Sequence, residues 1–244
     1  MQRVNGALEG YPREDGTFAT EPNILYKIRS SEIKLKAGET IRLMINRGED
    51  KEPVTSETVV LSEIVPRESN PFTPVNFGYE RNVSFAWDTD PSAQIFDLRL
   101  VLHYFESTPG NPNNLTRKQL NWPLNPEIIR ENNGSNRVDY TIKGEELYKF
   151  LQASLIPVND RIRRFDSFDV QITGAGEELV ELLRIIRANS GITSSQAVPL
   201  YSNISEGRGI FSSRSMAVRS GLTLNSASLD SLKNGIYTRG LNFQ

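Results

Sequence analysis

Apolar and polar residues alternate with a period of two along much of this chain, and helical spacing is confined to two short windows. The longest alternating run is 94–106. Phe96, Leu98, Leu100, Leu102 and Tyr104 form one unbroken apolar face, and Ile95, Asp97, Arg99, Val101, His103 and Phe105 form a mixed one. That pattern predicts a strand with one side in the core and the other half wet. In 40–46, Ile41, Leu43 and Ile45 face away from Arg42, Met44 and Asn46, and the turn at 36–39 predicts that 33–35 pairs with 41–45 as a hairpin. Further strands are expected at 23–28, at the β-branched run 56–61, and at 82–87, where Val83, Phe85 and Trp87 share a face. Residues 115–122 are expected to return antiparallel to 94–106 after a Pro/Gly/Asn loop, with more strands at 137–142 and 165–172 and closing segments at 209–218 and 236–243.

Two windows break the period. Residues 143–155 place Leu147, Phe150, Leu151 and Leu155 on one side and end before Pro157. Residues 176–188 do the same with Leu179, Leu182, Leu183 and Ile186. Acidic residues open both, and Arg184 and Arg187 close the second, as the helix dipole favours. Pro66, Pro71 and Pro74 fall within nine residues, which suits neither a helix nor a central strand and predicts a linker. The expected fold is mainly β with two helices, a β-rich α+β architecture. A small immunoglobulin- or fibronectin-like β-sandwich over residues 1–67 precedes a larger β-rich domain over 75–244 that carries both helices.

Charge and composition narrow the functions. Twenty-eight basic and thirty acidic residues give a net charge of -2 without a one-sign block, which argues against a nucleic-acid partner. With no cysteine there is no disulfide, thiol nucleophile or thiolate metal site. No apolar run approaches the roughly 18–20 residues of a membrane span, and the first eight residues hold no apolar signal core. The chain is therefore expected to be cytoplasmic or a mature portion without its targeting segment.

Each motif with chemical promise has a structural reading beside it. Gly174-Ala-Gly176 between a strand and a helix imitates a dinucleotide-binding turn, but Leu179 stands where a third glycine is needed and Glu177 and Glu178 would repel a pyrophosphate. A plain strand-to-helix connection is expected, and no cofactor. Ser31-Glu-Ile-Lys34 has no companion motif. His103 is the only histidine, so a transition-metal site is not expected, and Asp88-Thr-Asp90 before Pro91 reads as a turn. Asp88 and Glu106 are the candidate pair for a carboxylate-dependent hydrolase. Trp87, Tyr104 and Trp122 are candidate ligand-binding aromatics for a glycan, and Trp87 and Tyr104 equally suit the core. In 199–215, Tyr201, Asn203, Gly207, Gly209, Phe211 and Arg214 form a turn-and-strand signature. Phe211 is expected to enter the core, and Arg214 to pair with a carboxylate.

Several pieces together carry a resemblance: residues 15–26, Phe85-Ala-Trp87, residues 102–106, residues 201–214 and residues 237–243. In these the chain resembles uncharacterised surface lipoproteins of Bacteroides-type bacteria, domains of unknown function. The resemblance implies a bacterial cell-envelope location, outer membrane or periplasm, with peripheral attachment through a lipid anchor that this chain lacks. It supplies no functional residues. The expected function is that of a non-catalytic binding or accessory protein for a glycan, peptide or envelope partner protein. A structural, adhesin-like assembly subunit is the alternative, and a hydrolase the lesser one.

Overall fold

The computed structural model describes residues 1–13, 22–131, 134–189 and 201–244. Most of the 15–26 piece of the resemblance, and the first two residues of the 199–215 stretch, lie outside the described residues. Four antiparallel sheets account for the strands, and the chain is a mainly β, β-rich α+β protein. The organising unit is a four-stranded sheet in the order β11-β10-β7-β8. It comprises β7 (Ile95–Thr108), β8 (Asn111–Ile129), β10 (Arg163–Ala175) and β11 (Arg214–Leu222). A second sheet joins β5 (Val65–Pro66), β6 (Asn82–Asp88) and β9 (Arg137–Lys143).

The apolar face of β7 is the floor of the core: Phe96, Leu98, Leu100, Leu102 and Tyr104 are all at most 6% exposed. They join Val83, Phe85 and Trp87 of β6, Phe168, Val170 and Ile172 of β10, and Leu147, Tyr148 and Leu151 of α1 (Glu145–Ser154) in one cluster. Trp87 meets Phe96 edge-on at 5.2 Å, a preferred aromatic geometry. Buried arginines lash loops to this core. Arg130 donates to the carbonyls of Thr89, Asp90, Ala93 and Ser135 and lies 5.7 Å from the Phe96 ring centroid.

The structure departs from the expected pattern in several places. Residues 33–35 form no strand; β3 (Thr40–Ile45) pairs with β4 (Val54–Val59), and β1 (Gln2–Asn5) with β2 (Ile24–Lys27). The described residues of 1–59 thus hold two two-stranded ribbons, on which Ile45, Met44 and Tyr26 are exposed. Residues 66–74, expected as a linker, are fixed against the sheets. Arg67 N–H donates to Ala86 O, Ala86 N–H to Asn70 O, and Arg219 reaches the carbonyls of Arg67, Glu68 and Pro71.

β8 is nineteen residues long and runs through Pro112, Pro123 and Pro126. It is an edge strand, where an absent N–H on the unpaired side costs no ladder bond. Finally, a third helix, α3 (Ser226–Asn234), forms between the two closing segments, where no helix is expected. Asn225 caps it by accepting from Ser228 N–H at 2.9 Å, and only Ser228 and Leu232 are buried. The closing segment 236–243 contains a short 3-10 turn, Arg239–Leu241, with Leu241 and Phe243 in the core.

Candidate ligand-binding site

The second face of the four-stranded sheet is set by the same alternation that makes the core. Residues opposite one another across antiparallel strands share a face. Arg214, Ala175 and Ile95 therefore form one row, Met216, Thr173 and Asp97 the next, and Val218, Gln171 and Arg99 a third. Over the first rows lies α2 (Glu177–Asn189), which leaves β10 after Gly176. Its Leu179, Leu182 and Leu183 are only half-buried, since they face a cavity of about 460 Å³ whose floor includes Asp97, Arg99, Gln171, Thr173 and Met216. The helix is held there by Ser212 Oγ, which donates to Glu178 at 2.9 Å near its start, and by Arg187, which pairs with Glu127 of β8 near its end.

Charges on the floor are arranged unequally. Arg99 donates through Nε to Asp97 Oδ2 at 2.7 Å and through a second nitrogen to the same oxygen. That hydrogen bond raises the Arg99 pKa, and burial only partly opposes it. Asp97 Oδ1 is buried without a partner among the described residues. Arg214, the first residue of β11, is exposed, and its side chain makes no hydrogen bond or ion pair among the described residues, so the expected cross-sheet carboxylate is absent there.

The residues singled out from the sequence go elsewhere. Trp87, Tyr104 and Trp122 are 0%, 6% and 8% exposed, and the Trp122 ring stacks on Phe150 at 5.0 Å. They are packing residues, because alternation puts them on the same side as the leucines. Asp88 is paired with Arg67 at 2.8 Å at the end of β6. Glu106 is 5% exposed and accepts from Arg163 Nε at 2.7 Å and from Lys118. Burial alone would raise the Glu106 pKa; the hydrogen bonds from Lys118 and Arg163 outweigh it and hold the carboxyl below its usual range. A general acid needs the opposite shift. His103 Nε2 lies 2.9 Å from Asp169 Oδ2, and Gly221 N–H donates to the other oxygen, so this pair pins β11 to β7 through β10. Gly174 lies within β10, its Cβ position crowded by Ile64 and Phe96 at 3.0–3.1 Å, so no phosphate-binding turn exists.

The 201–214 signature is a closed loop that serves as a strap. Asn203 accepts from Phe211 N–H at 2.8 Å and donates to Phe211 O at 2.7 Å. Ser202 Oγ accepts from Gly209 N–H and donates to Gly207 O, and Gly209 has the positive φ of 152° that favours glycine. The strap binds β4 through Ser205 N–H to Thr55 O and Ser56 Oγ to Asn203 O. Burial, then the charges of Glu178, Glu181 and Glu177, raise the Tyr201 pKa. Phe211 is half-buried and outside the core cluster, so the expectation that it drops into the core is corrected: the backbone of Phe211 is held, while its ring is not enclosed.

Among the described residues no group of three or more Asp, Glu or His side chains is placed to hold a metal ion, and no helix is long and apolar enough to cross a membrane. Comparison with family models, curated proteins and solved structures finds no match for this chain.

Proposed function

We propose that this chain is a non-catalytic binding protein whose ligand lies between α2 and the outer face of the four-stranded sheet. One observation carries the reading. A row of leucines that an amphipathic helix would ordinarily bury faces a cavity of about 460 Å³ with a few polar groups on the opposite wall. Small-ligand sites run from about 300 to 1,000 Å³ and have this mixture of apolar lining and sparse polar groups. The absence of catalysis is part of the proposal: the carboxylates suggested for hydrolysis, Asp88 and Glu106, are each held by arginine. The cell-envelope location and lipid attachment also belong to it, and rest on the resemblance alone.

The neutral dye N-phenyl-1-naphthylamine tests the cavity. Its fluorescence is expected to rise saturably with the protein, and to fall to background with Leu183→Glu, which puts a charge in the roof. Thr173→Trp, which fills the space from the strand side, is expected to act the same way, with melting temperatures recorded for both. No saturable signal in the parent protein, or an equal signal in both variants, would refute the reading.

The assembly-subunit alternative has one observation in its favour, the long free edge of β8, whose first ten residues are largely exposed. An exposed edge is the template for strand addition. Pro112, Pro123, Pro126 and the adjacent Arg117 and Lys118 are the residue types that blunt such an edge, which favours the binding reading.

A further inference from the structure

We infer that the ligand of this cavity is an aliphatic monocarboxylate, an acyl chain under the leucines of α2 with its acid group on Arg214. The inference rests on the binding reading above and adds the chemical class. The apolar part of the lining is aliphatic, with Leu179, Leu182, Leu183, Met216 and Ile95 among it, and the aromatic ring that borders it, Phe96, is 1% exposed and turned into the core. A sugar would need an open aromatic face to stack on, so a glycan does not suit this lining.

Charge decides the head group. Asp97 and Arg99 neutralise each other within the floor. Glu177 and Glu178 border a separate recess of about 150 Å³ beside Val59 and Pro91, and Glu178 is engaged by Ser212. Among the described residues, what remains on the cavity wall is the guanidinium of Arg214, exposed and without an ion pair. A planar carboxylate matches a single guanidinium in a two-pronged pair, whereas a phosphate dianion would be left half-neutralised. Exposure of Arg214 at the rim keeps the head group near water while the chain is covered, the arrangement an amphiphile prefers.

Competition against bound N-phenyl-1-naphthylamine by decanoate, decanol and decyltrimethylammonium, each below its micelle concentration, reads the head-group preference directly. Decanoate is expected to displace the dye at roughly one-tenth the concentration of decanol, since a hydrogen bond to a charged group exceeds a neutral one by about that factor; the ammonium should be weakest. Arg214→Gln should bring the decanoate-to-decanol ratio to about one, Arg214→Lys should retain a preference for the acid, and Arg214→Glu should reverse it toward the ammonium. Equal displacement by decanoate and decanol in the parent protein, or a ratio unchanged by Arg214→Gln, overturns the inference while leaving the cavity intact. Absence of dye binding overturns the binding reading and this inference together.

Discussion

Replacing Arg163 by alanine removes a guanidinium that is 3% exposed and donates to Glu106 at 2.7 Å and to the carbonyls of Ile156 and Leu241 at 3.0 Å. Glu106, itself 5% exposed, keeps Lys118 and, at 3.6 Å, Arg161, whose side chains are 46% and 30% exposed. Removing the buried partner of a buried charge costs about 3–5 kcal/mol, because Glu106 then keeps only cations that are themselves partly in water, and the carbonyls of Ile156 and Leu241 lose their donor. An ion pair with one exposed member is worth about 1 kcal/mol or less. Arg163→Ala is therefore expected to lose about 3–5 kcal/mol and Lys118→Ala no more than about 1 kcal/mol, although both cations touch the same carboxylate. Joint replacement, Arg163→Met with Glu106→Leu, should cost clearly less than the two single changes summed, since no orphaned charge remains. Urea equilibrium unfolding at pH 7, with unchanged slopes as the check on two-state behaviour, measures all five variants. Equal losses for Lys118→Ala and Arg163→Ala, or simple additivity in the double variant, would refute the assignment of this pair as the buried anchor of the C-terminal turn.

Acid should weaken the fold in a definite direction. Burial would raise the carboxyls of Glu106, Asp169 and Asp90. Hydrogen bonds from Lys118 and Arg163, from His103 and Gly221, and from Ser62 and Ser92 respectively reverse that and hold all three below the usual range. Folded-state values below unfolded ones give stability that is present above about pH 4 and lost as pH falls through the depressed values. The urea midpoint should be flat from pH 7 to 5 and drop below about pH 4, with a shallower drop for Glu106→Gln; an undiminished midpoint at pH 3 would contradict this. Gly144→Ala should lower the melting temperature strongly, because its Cβ would lie 2.2 Å from Gly78 O and 2.6 Å from the Phe77 carbonyl carbon, both backbone atoms that cannot swing aside. Overpacking of this kind costs on the order of 1–3 kcal/mol, and an unchanged melting temperature would show that the chain relaxes there.

Local pattern was enough where a segment's neighbours are dictated by its own alternation. Residues 94–106 were legible as a strand with a core face and a mixed face, and both windows of helical spacing became α1 and α2 within two residues. Segments whose signals are overridden from outside were not. The prolines of β8 read as breakers until its place at the sheet edge made them harmless, and the serine-rich α3 carries two leucines, Leu229 and Leu232, where a longer apolar stripe is the usual sign. Asn225 followed by Ser228 was the available cue, a cap bonding to the third residue of the helix.

The candidate site divides in the same way. The amino-acid sequence by itself determined that β7 has a polar-studded outer face, that α2 has a leucine face, and that thiol chemistry is excluded. Only the tertiary structure decided that these two faces oppose each other across a cavity, that Arg99 is spent on Asp97 while Arg214 is left free, and that Trp87, Tyr104 and Trp122 are enclosed. The physical reason is that periodicity specifies which side of an element a residue occupies but not what lies opposite. That is set by strand order and register, which put Arg214, 119 positions after Ile95 in the chain, in the same row of the sheet.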